Sequence, residues 1–338
     1  MHSLNILVMG PSWVGDMVLA QSLFKTLKLN HPNCSIDVAA PGWTLPLLER
    51  MPEVSGTIDL PFKHGELALG QRIRLGRSLR ARRYNQAILL TNSLKSAILP
   101  YFAGIPVRTG FLGEMRYGLL NDIRPLDKTR LVRTVDRFVA LGQPVTAALP
   151  TPIPEPSLLA DRERALYTLD ALNLEHPSSR VLGLCPGAEY GEAKRWPAEY
   201  YAAVANAALA QGWQVWLFGS EKDIPVTQFI NQLTSHRCQD FGGKTKLGQA
   251  IDLMSLCHNI VSNDSGLMHV AAALGKPLVA MYGSSDPRHT PPMSAKAKIE
   301  YLGLDCSPCF QRKCPLGHLN CLKNIPPSRI APEILGQY

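Results

Sequence analysis

Five prolines fall between residues 144 and 156 (Pro144, Pro150, Pro152, Pro154 and Pro156), and one pattern runs up to them and starts again after them. Proline fixes φ and has no N–H, so this stretch cannot carry a helix and reads as a semi-rigid, extended linker. Before it, short apolar runs alternate with helical patterns. Residues 4–10 read as a buried strand, followed by a polar turn and a helix to about residue 29; residues 35–40 and 86–91 read as later strands. After the prolines, strands are expected at 180–185, 214–219, 259–263 and 277–282, with helices at 197–211, 247–257 and 265–274. Continuous apolar strands separated by helices of this length predict a parallel sheet covered on both faces. The expectation is an α/β chain of two Rossmann-like, doubly wound domains, residues 1–150 and 151–338. Ligands are expected beyond the carboxyl ends of the strands, in a cleft between the domains.

Charge separates the two halves. Residues 1–150 hold 18 basic and 10 acidic side chains, whereas residues 151–338 hold 17 of each. The whole net charge of +8 therefore lies in the first half, which points to an anionic partner there. An apolar fraction of 46% with 18% charged residues excludes a largely disordered chain. No apolar run reaches the roughly 18–20 residues of a membrane-spanning helix. The opening residues lack the charged and long apolar regions of a signal peptide, so a cytosolic protein is expected. The eight cysteines then read as thiols or metal ligands rather than disulfides.

Phosphate-loop signatures fail. No G-x-G-x-x-G follows a strand, which removes the main signature of a dinucleotide dehydrogenase. Gly10-Pro11-Ser12-Trp13-Val14-Gly15-Asp16 has the spacing of a P-loop's first half, but a carboxylate stands where the lysine should be and would repel phosphates. Gly242-Gly243-Lys244-Thr245 resembles the end of such a loop, but Cys238 occupies the place of its first glycine.

Other segments carry chemistry. Asp16 follows the first strand at the start of a helix, where it can act as an N-cap or as a general base. Pro186 to Pro197 is a long strand-to-helix loop that sets Lys194 and Arg195 immediately before a helix N-terminus. Cations there oppose the helix dipole unless an anion is to be held, so the loop, with Gly187, Lys194 and Arg195, suits a pyrophosphate. Asn263-Asp264-Ser265-Gly266-Leu267-Met268-His269 ends one apolar strand and opens a small-residue helix. Asp264 can cap that helix, Ser265 and Gly266 can offer N–H groups to a second phosphate contact, and His269 lies one turn on. Glu221 or Asp223, after another strand, can accept bonds from ribose hydroxyls.

Two further clusters remain. Cys306, Cys309, Cys314 and Cys321, with His318 nearby, put four thiols in a short segment. The first pair has zinc-ligand spacing, so a structural zinc site is weighed against uncoordinated thiols. Arg72, Arg74, Arg77, Arg80, Arg82 and Arg83 are placed in one helix with no acidic residue among them. A solvated face explains most such runs, but this one suits contact with phosphates or a membrane surface.

The segments 11–16 (P-S-W-V-G-D), 186–197 (P-G-A-E-Y-G-x-x-K-R-W-P) and 263–269 (N-D-S-G-L-M-H) together resemble glycosyltransferase family 9. More narrowly they resemble its ADP-heptose–lipopolysaccharide heptosyltransferases, the first two most of all the type II branch. The resemblance implies the GT-B architecture, with the first domain facing the acceptor and the second binding ADP-heptose. It implies inversion at the anomeric carbon with no catalytic metal. It implies Asp16 as the base, Lys194 as the diphosphate lysine, Asp264, Ser265 and Gly266 as the turn that holds the donor, and the region of Glu221 and Asp223 near the ribose. It departs from some relatives at Glu189, Tyr190 and Gly191, where those place hydroxyl residues. The basic half, with Arg72, Arg77 and Arg80, then fits the anionic inner core of lipopolysaccharide at the cytoplasmic face of the inner membrane rather than a nucleic acid. Types I and III, a sugar-nucleotide epimerase and a nucleic-acid binder are the alternatives.

Overall fold

The computed structural model describes residues 4–62 and 65–336. The chain forms two units that divide between Pro156 and Ser157, at the last proline of the linker. Lys25 Nζ donates to the Glu155 carbonyl at 2.7 Å and ties the linker to the first unit.

The first unit holds six strands, β1 (Asn5–Met9), β2 (Ser35–Ala40), β3 (Gly56–Asp59), β4 (Gln86–Leu89), β5 (Val107–Phe111) and β6 (Asp122–Arg124). All pair in parallel, in the order β3-β2-β1-β4-β5-β6. The second unit holds β7 (Val181–Cys185), β8 (Gln214–Leu217), β9 (Gln239–Asp240), β10 (Asn259–Asn263), β11 (Leu278–Tyr282) and β12 (Ala297–Tyr301), again parallel, in the order β12-β11-β10-β7-β8-β9. Counted within each unit, both sheets have the same doubly wound order. It reverses between β1 and β4 in one sheet and between β7 and β10 in the other. Loops that leave these strand pairs diverge to opposite faces and open a crevice at their carboxyl ends.

The apolar runs explain the placement. Ile6, Leu7 and Val8 of β1 are fully buried, as are Leu23 and Phe24 of the helix Val14–Asn30. Every residue of β7 is buried. Each such side chain contributes on the order of 1.5–3 kcal/mol on burial, which drives continuous apolar strands to the middle of a covered sheet. Among the described residues no helix is long and apolar enough to cross a membrane.

The arginine run differs from its expectation. The helix Leu69–Ser78 gives way to a 3₁₀ turn over Leu79–Arg82, and Arg83 adopts a left-handed conformation (φ 50°), so the six do not share one helix. Arg72 is buried with its guanidinium 4.0 Å from the centre of the Phe62 ring. Its Nε donates to the Leu67 carbonyl at 2.7 Å. Arg82 pairs with Asp37 at 2.9 Å. Arg74, Arg77, Arg80 and Arg83 remain exposed.

Candidate functional site

In the first unit, β1 and β4 pair Met9 with Leu89, so the segments that follow them lie side by side at the point where the strand order reverses. They line a cavity of about 560 Å³, large enough for sugar residues. Asp16 lines it, half-buried. The expected N-cap role falls elsewhere: Trp13 is the N-cap residue of Val14–Asn30, and Asp16 is an acid of the helix's first turn. Trp13 and Trp43 stand exposed on the same cavity, and the Trp43 indole donates to the Ser12 carbonyl at 3.1 Å. Arg72, Lys95 and Arg137 bring three cations to its lining, so Arg72 reaches this cavity while Arg77 and Arg80 do not.

Three further lining residues, Thr91, Ser96 and Phe111, are held together by Arg116, which is fully buried. Its guanidinium donates to the Thr91 carbonyl at 2.8 Å, to Ser96 Oγ at 3.2 Å and to the Phe111 carbonyl. The ends of β4 and β5 are thereby fixed to one another. Burial lowers the affinity of this guanidinium for its proton.

In the second unit, β7 and β10 pair Cys185 with Ser262, which sets Pro186 beside Asn263. Asn263 is buried, and it clamps both ends of the 186–197 loop. Its Nδ2 donates to the Pro186 carbonyl at 2.7 Å, while its Oδ1 accepts from Trp196 N at 2.9 Å and from Tyr201 OH at 3.0 Å. Lys194 is thereby brought to Asp264, and Nζ lies 2.5 Å from Oδ2. The Ser285 hydroxyl donates to the same oxygen. Asp264 does not cap the following helix: Ser265 is the N-cap and Gly266 the first residue of Gly266–Ala273.

His269 lies on that helix, buried, and its Nδ1 has no hydrogen-bond partner among the described residues. Burial pushes its imidazole down to about 4; the Asp264 carboxylate opposes the shift and the Lys194 ammonium adds to it. His269 is thus neutral at pH 7.

Arg195 turns toward Asp223 (3.7 Å), which also accepts from Ser220 N at 2.9 Å and Ser220 Oγ at 2.8 Å. Asp223 is buried in these contacts, and Glu221 is the exposed acid at the end of β8. Gly187 has a steric reason: a Cβ there would stand 2.4 Å from the Asp223 carboxyl carbon.

The four cysteines considered as zinc ligands, Cys306, Cys309, Cys314 and Cys321, are free thiols that line one small cavity of about 20 Å³ with His318 and Ser284. Backbone N–H groups, that of Leu319 foremost, hold the Cys314 thiol below its ordinary value, while burial raises that of Cys321. Among the described residues no group of three or more His, Cys, Asp or Glu side chains is arranged to hold a metal ion.

A cavity thus lies at the reversal point of the first sheet and the Lys194–Asp264 pair at that of the second, and the comparisons with known proteins say which chemistry such sites serve. The model of glycosyltransferase family 9 (heptosyltransferase) matches residues 72–320. This chain belongs to glycosyltransferase family 9. Lipopolysaccharide heptosyltransferase 2 of Escherichia coli strain K12 is 47% identical over 342 residues, covering 98% of this chain and 97% of the relative. Lipopolysaccharide heptosyltransferase 2 of Salmonella typhimurium strain LT2 is 48% identical over the same length and coverage. A solved structure described as E. coli ADP-heptose lps heptosyltransferase II superposes with a TM-score of 0.87 at 44% identity, covering 98% of this chain and 97% of that one.

As a family 9 glycosyltransferase the chain is an enzyme with a GT-B fold, as its motifs led one to expect. Sequence reasoning passed over several residues that build its two crevices. Ser285 follows β11, and Thr91, Asn92 and Lys95 follow β4, so the rule that ligands meet strand carboxyl ends could have raised them. Arg116 and the ring of Tyr190 gave no such signal, because their roles depend on contacts between segments far apart in sequence.

Proposed function

We infer that this enzyme transfers L-glycero-D-manno-heptose from ADP-heptose to a heptose of the lipopolysaccharide inner core. Heptosyltransferase 2 relatives that cover nearly the whole chain support the choice of donor and acceptor. The observation that carries the reading within this chain is the Lys194–Asp264 pair, its carboxylate buried and its lysine partly exposed, at the reversal point of the second sheet. A lysine kept beside a carboxylate at a strand's carboxyl end, next to a helix start at Ser265–Gly266, is a preformed seat for a diphosphate.

In the reaction an acceptor hydroxyl oxygen attacks the anomeric carbon from the face opposite ADP. The new C–O bond forms as the bond to the diphosphate oxygen breaks, so configuration inverts. Negative charge develops on departing ADP, where Lys194 and the N–H groups of the Ser265–Gly266 turn stabilise it. Asp16 takes the hydroxyl proton, which removes positive charge from the attacking oxygen. No step passes through a metal. Arg72, Lys95 and Arg137 outnumber the carboxylates Asp16 and Glu114 in the lining of this cavity, which leaves it the sign that an acidic, phosphorylated core needs. The exposed arginines of the same unit support peripheral contact with the anionic inner membrane on its cytoplasmic face.

The test is Asp16→Asn. Turnover should fall by on the order of a hundredfold or more while ADP binding stays as in the wild type. A variant with near-normal kcat would remove Asp16 as the base.

A further inference from the structure

Residues 302–319, between β12 and the short helix Asn320–Lys323, carry neither helix nor strand. So long an irregular loop within a compact domain is uncommon unless it serves a site. This one is sewn onto the segments that carry Lys194 and Ser285. Ser307 Oγ donates to the Gly283 carbonyl at 2.5 Å, and Phe310 N to the Ser284 carbonyl at 2.7 Å. From the other side, Tyr190 OH donates to the Phe310 carbonyl at 2.7 Å and Ala193 N to the Arg312 carbonyl at 3.0 Å. Gly191 makes the approach possible: its φ is +157°, and a Cβ there would stand 2.4 Å from the Arg312 carbonyl oxygen.

The backbone of Arg312 is thus fixed against the 186–197 loop, and its side chain follows. The Arg312 guanidinium carbon lies 5.5 Å from the centre of the Tyr190 ring, and Lys194 Nζ lies 5.2 Å from the same point. Two cations thus lie within 5.5 Å of the centre of one neutral ring. Three cations near the ring have their own carboxylates: Lys194 has Asp264, Arg195 has Asp223 and Lys222 has Glu189. Arg312 is exposed and, among the described residues, has no carboxylate in salt-bridge range. Convergence of like charges costs energy that a bound anion recovers.

We propose that Arg312 is a second diphosphate-contacting cation, presented beside Lys194 by the cysteine loop. Its planar guanidinium offers a bidentate pair of N–H donors to one phosphate, which the point charge of Lys194 cannot. The inference rests on the reading that this site takes an ADP-linked sugar. It accounts for Tyr190: the aromatic ring is the surface over which both cations are held.

Titration calorimetry of the full chain with ADP and with adenosine tests it, for wild type, Arg312→Ala and Arg312→Lys, with thermal midpoints recorded alongside. Arg312→Ala should weaken ADP roughly ten- to a hundredfold, the loss expected for one charge-assisted contact, and leave adenosine unchanged. Arg312→Lys should recover part of the loss, and the KM for donor should rise while that for acceptor stays level. If wild type and Arg312→Ala bind ADP equally, the proposal is overturned. Equal weakening of ADP and adenosine with a lowered midpoint overturns it as well, in favour of a structural role. A wild-type protein that does not bind ADP would instead overturn the donor assignment itself.

Discussion

At the level of single residues, the second crevice is a small electrostatic device. Lys194 and Asp264 neutralise one another, and a neutral imidazole is buried beside them. His269 has a measurable consequence. Its unfolded imidazole takes up a proton near pH 6.5 and its folded one only near 4, so the unfolded state binds more protons between those values. Stability should therefore be unaffected by this group above pH 6.5 and fall as the pH drops toward 4, by roughly 3 kcal/mol at most. Chemical denaturation of wild type and His269→Asn between pH 7 and 4.5 checks this. The variant should lose less stability over that range, and parallel curves would contradict a buried neutral histidine. The residue types were legible in the sequence because each stands in a short segment whose glycines, cations and carboxylates have few other reasons to be together. The Lys194–Asp264 pair was not legible as a pair, since parallel pairing of β7 and β10 alone brings residues 70 positions apart into contact.

Loops and helix starts, rather than the strands, are where sequence and structure part. Apolar runs such as β1 and β7 announced themselves because burial on both faces leaves no room for polar side chains. The arginine run misled as a helix because charge spacing says nothing about where φ turns positive, and Arg83 does so. The 302–319 loop was visible only as a cysteine spacing, although its contacts are with the 186–197 segment. Two predictions belong here. Gly187→Ala should push the Asp223 carboxylate off Ser220, costing about 1–3 kcal/mol as an overpacked site does. Thermal unfolding reads it, and an unchanged midpoint would show that the loop is not so tightly set against Asp223. Excess chelator should leave the transfer rate unchanged; a loss that added Mg²⁺ restores would contradict a mechanism carried by Asp16 and Lys194.

Over the whole chain, the two units share one strand order but not one charge. The first, residues 1–156, holds 18 basic and 11 acidic side chains and so seven of the surplus of eight, and the second holds one. Within the arginine run Arg72 is packed on Phe62 and Arg82 is paired with Asp37, so the cations of the run most available to a surface are Arg74, Arg77, Arg80 and Arg83. Replacing Arg77 and Arg80 by Glu should weaken binding to anionic vesicles at roughly 1 kcal/mol per charge removed and raise the KM for membrane-embedded acceptor. The KM for donor should stay level, and the reverse pattern in a sedimentation and kinetic comparison would refute the division of labour. Donor and acceptor are tested together by one assay: purified protein with ADP-heptose and core acceptors truncated at successive sugars, scored by mass. The acceptor ending in one heptose should gain a single heptose and the acceptor without heptose should gain none, as transfer to an inner-core heptose requires. Addition to the heptose-free acceptor, or to no acceptor at all, would contradict it.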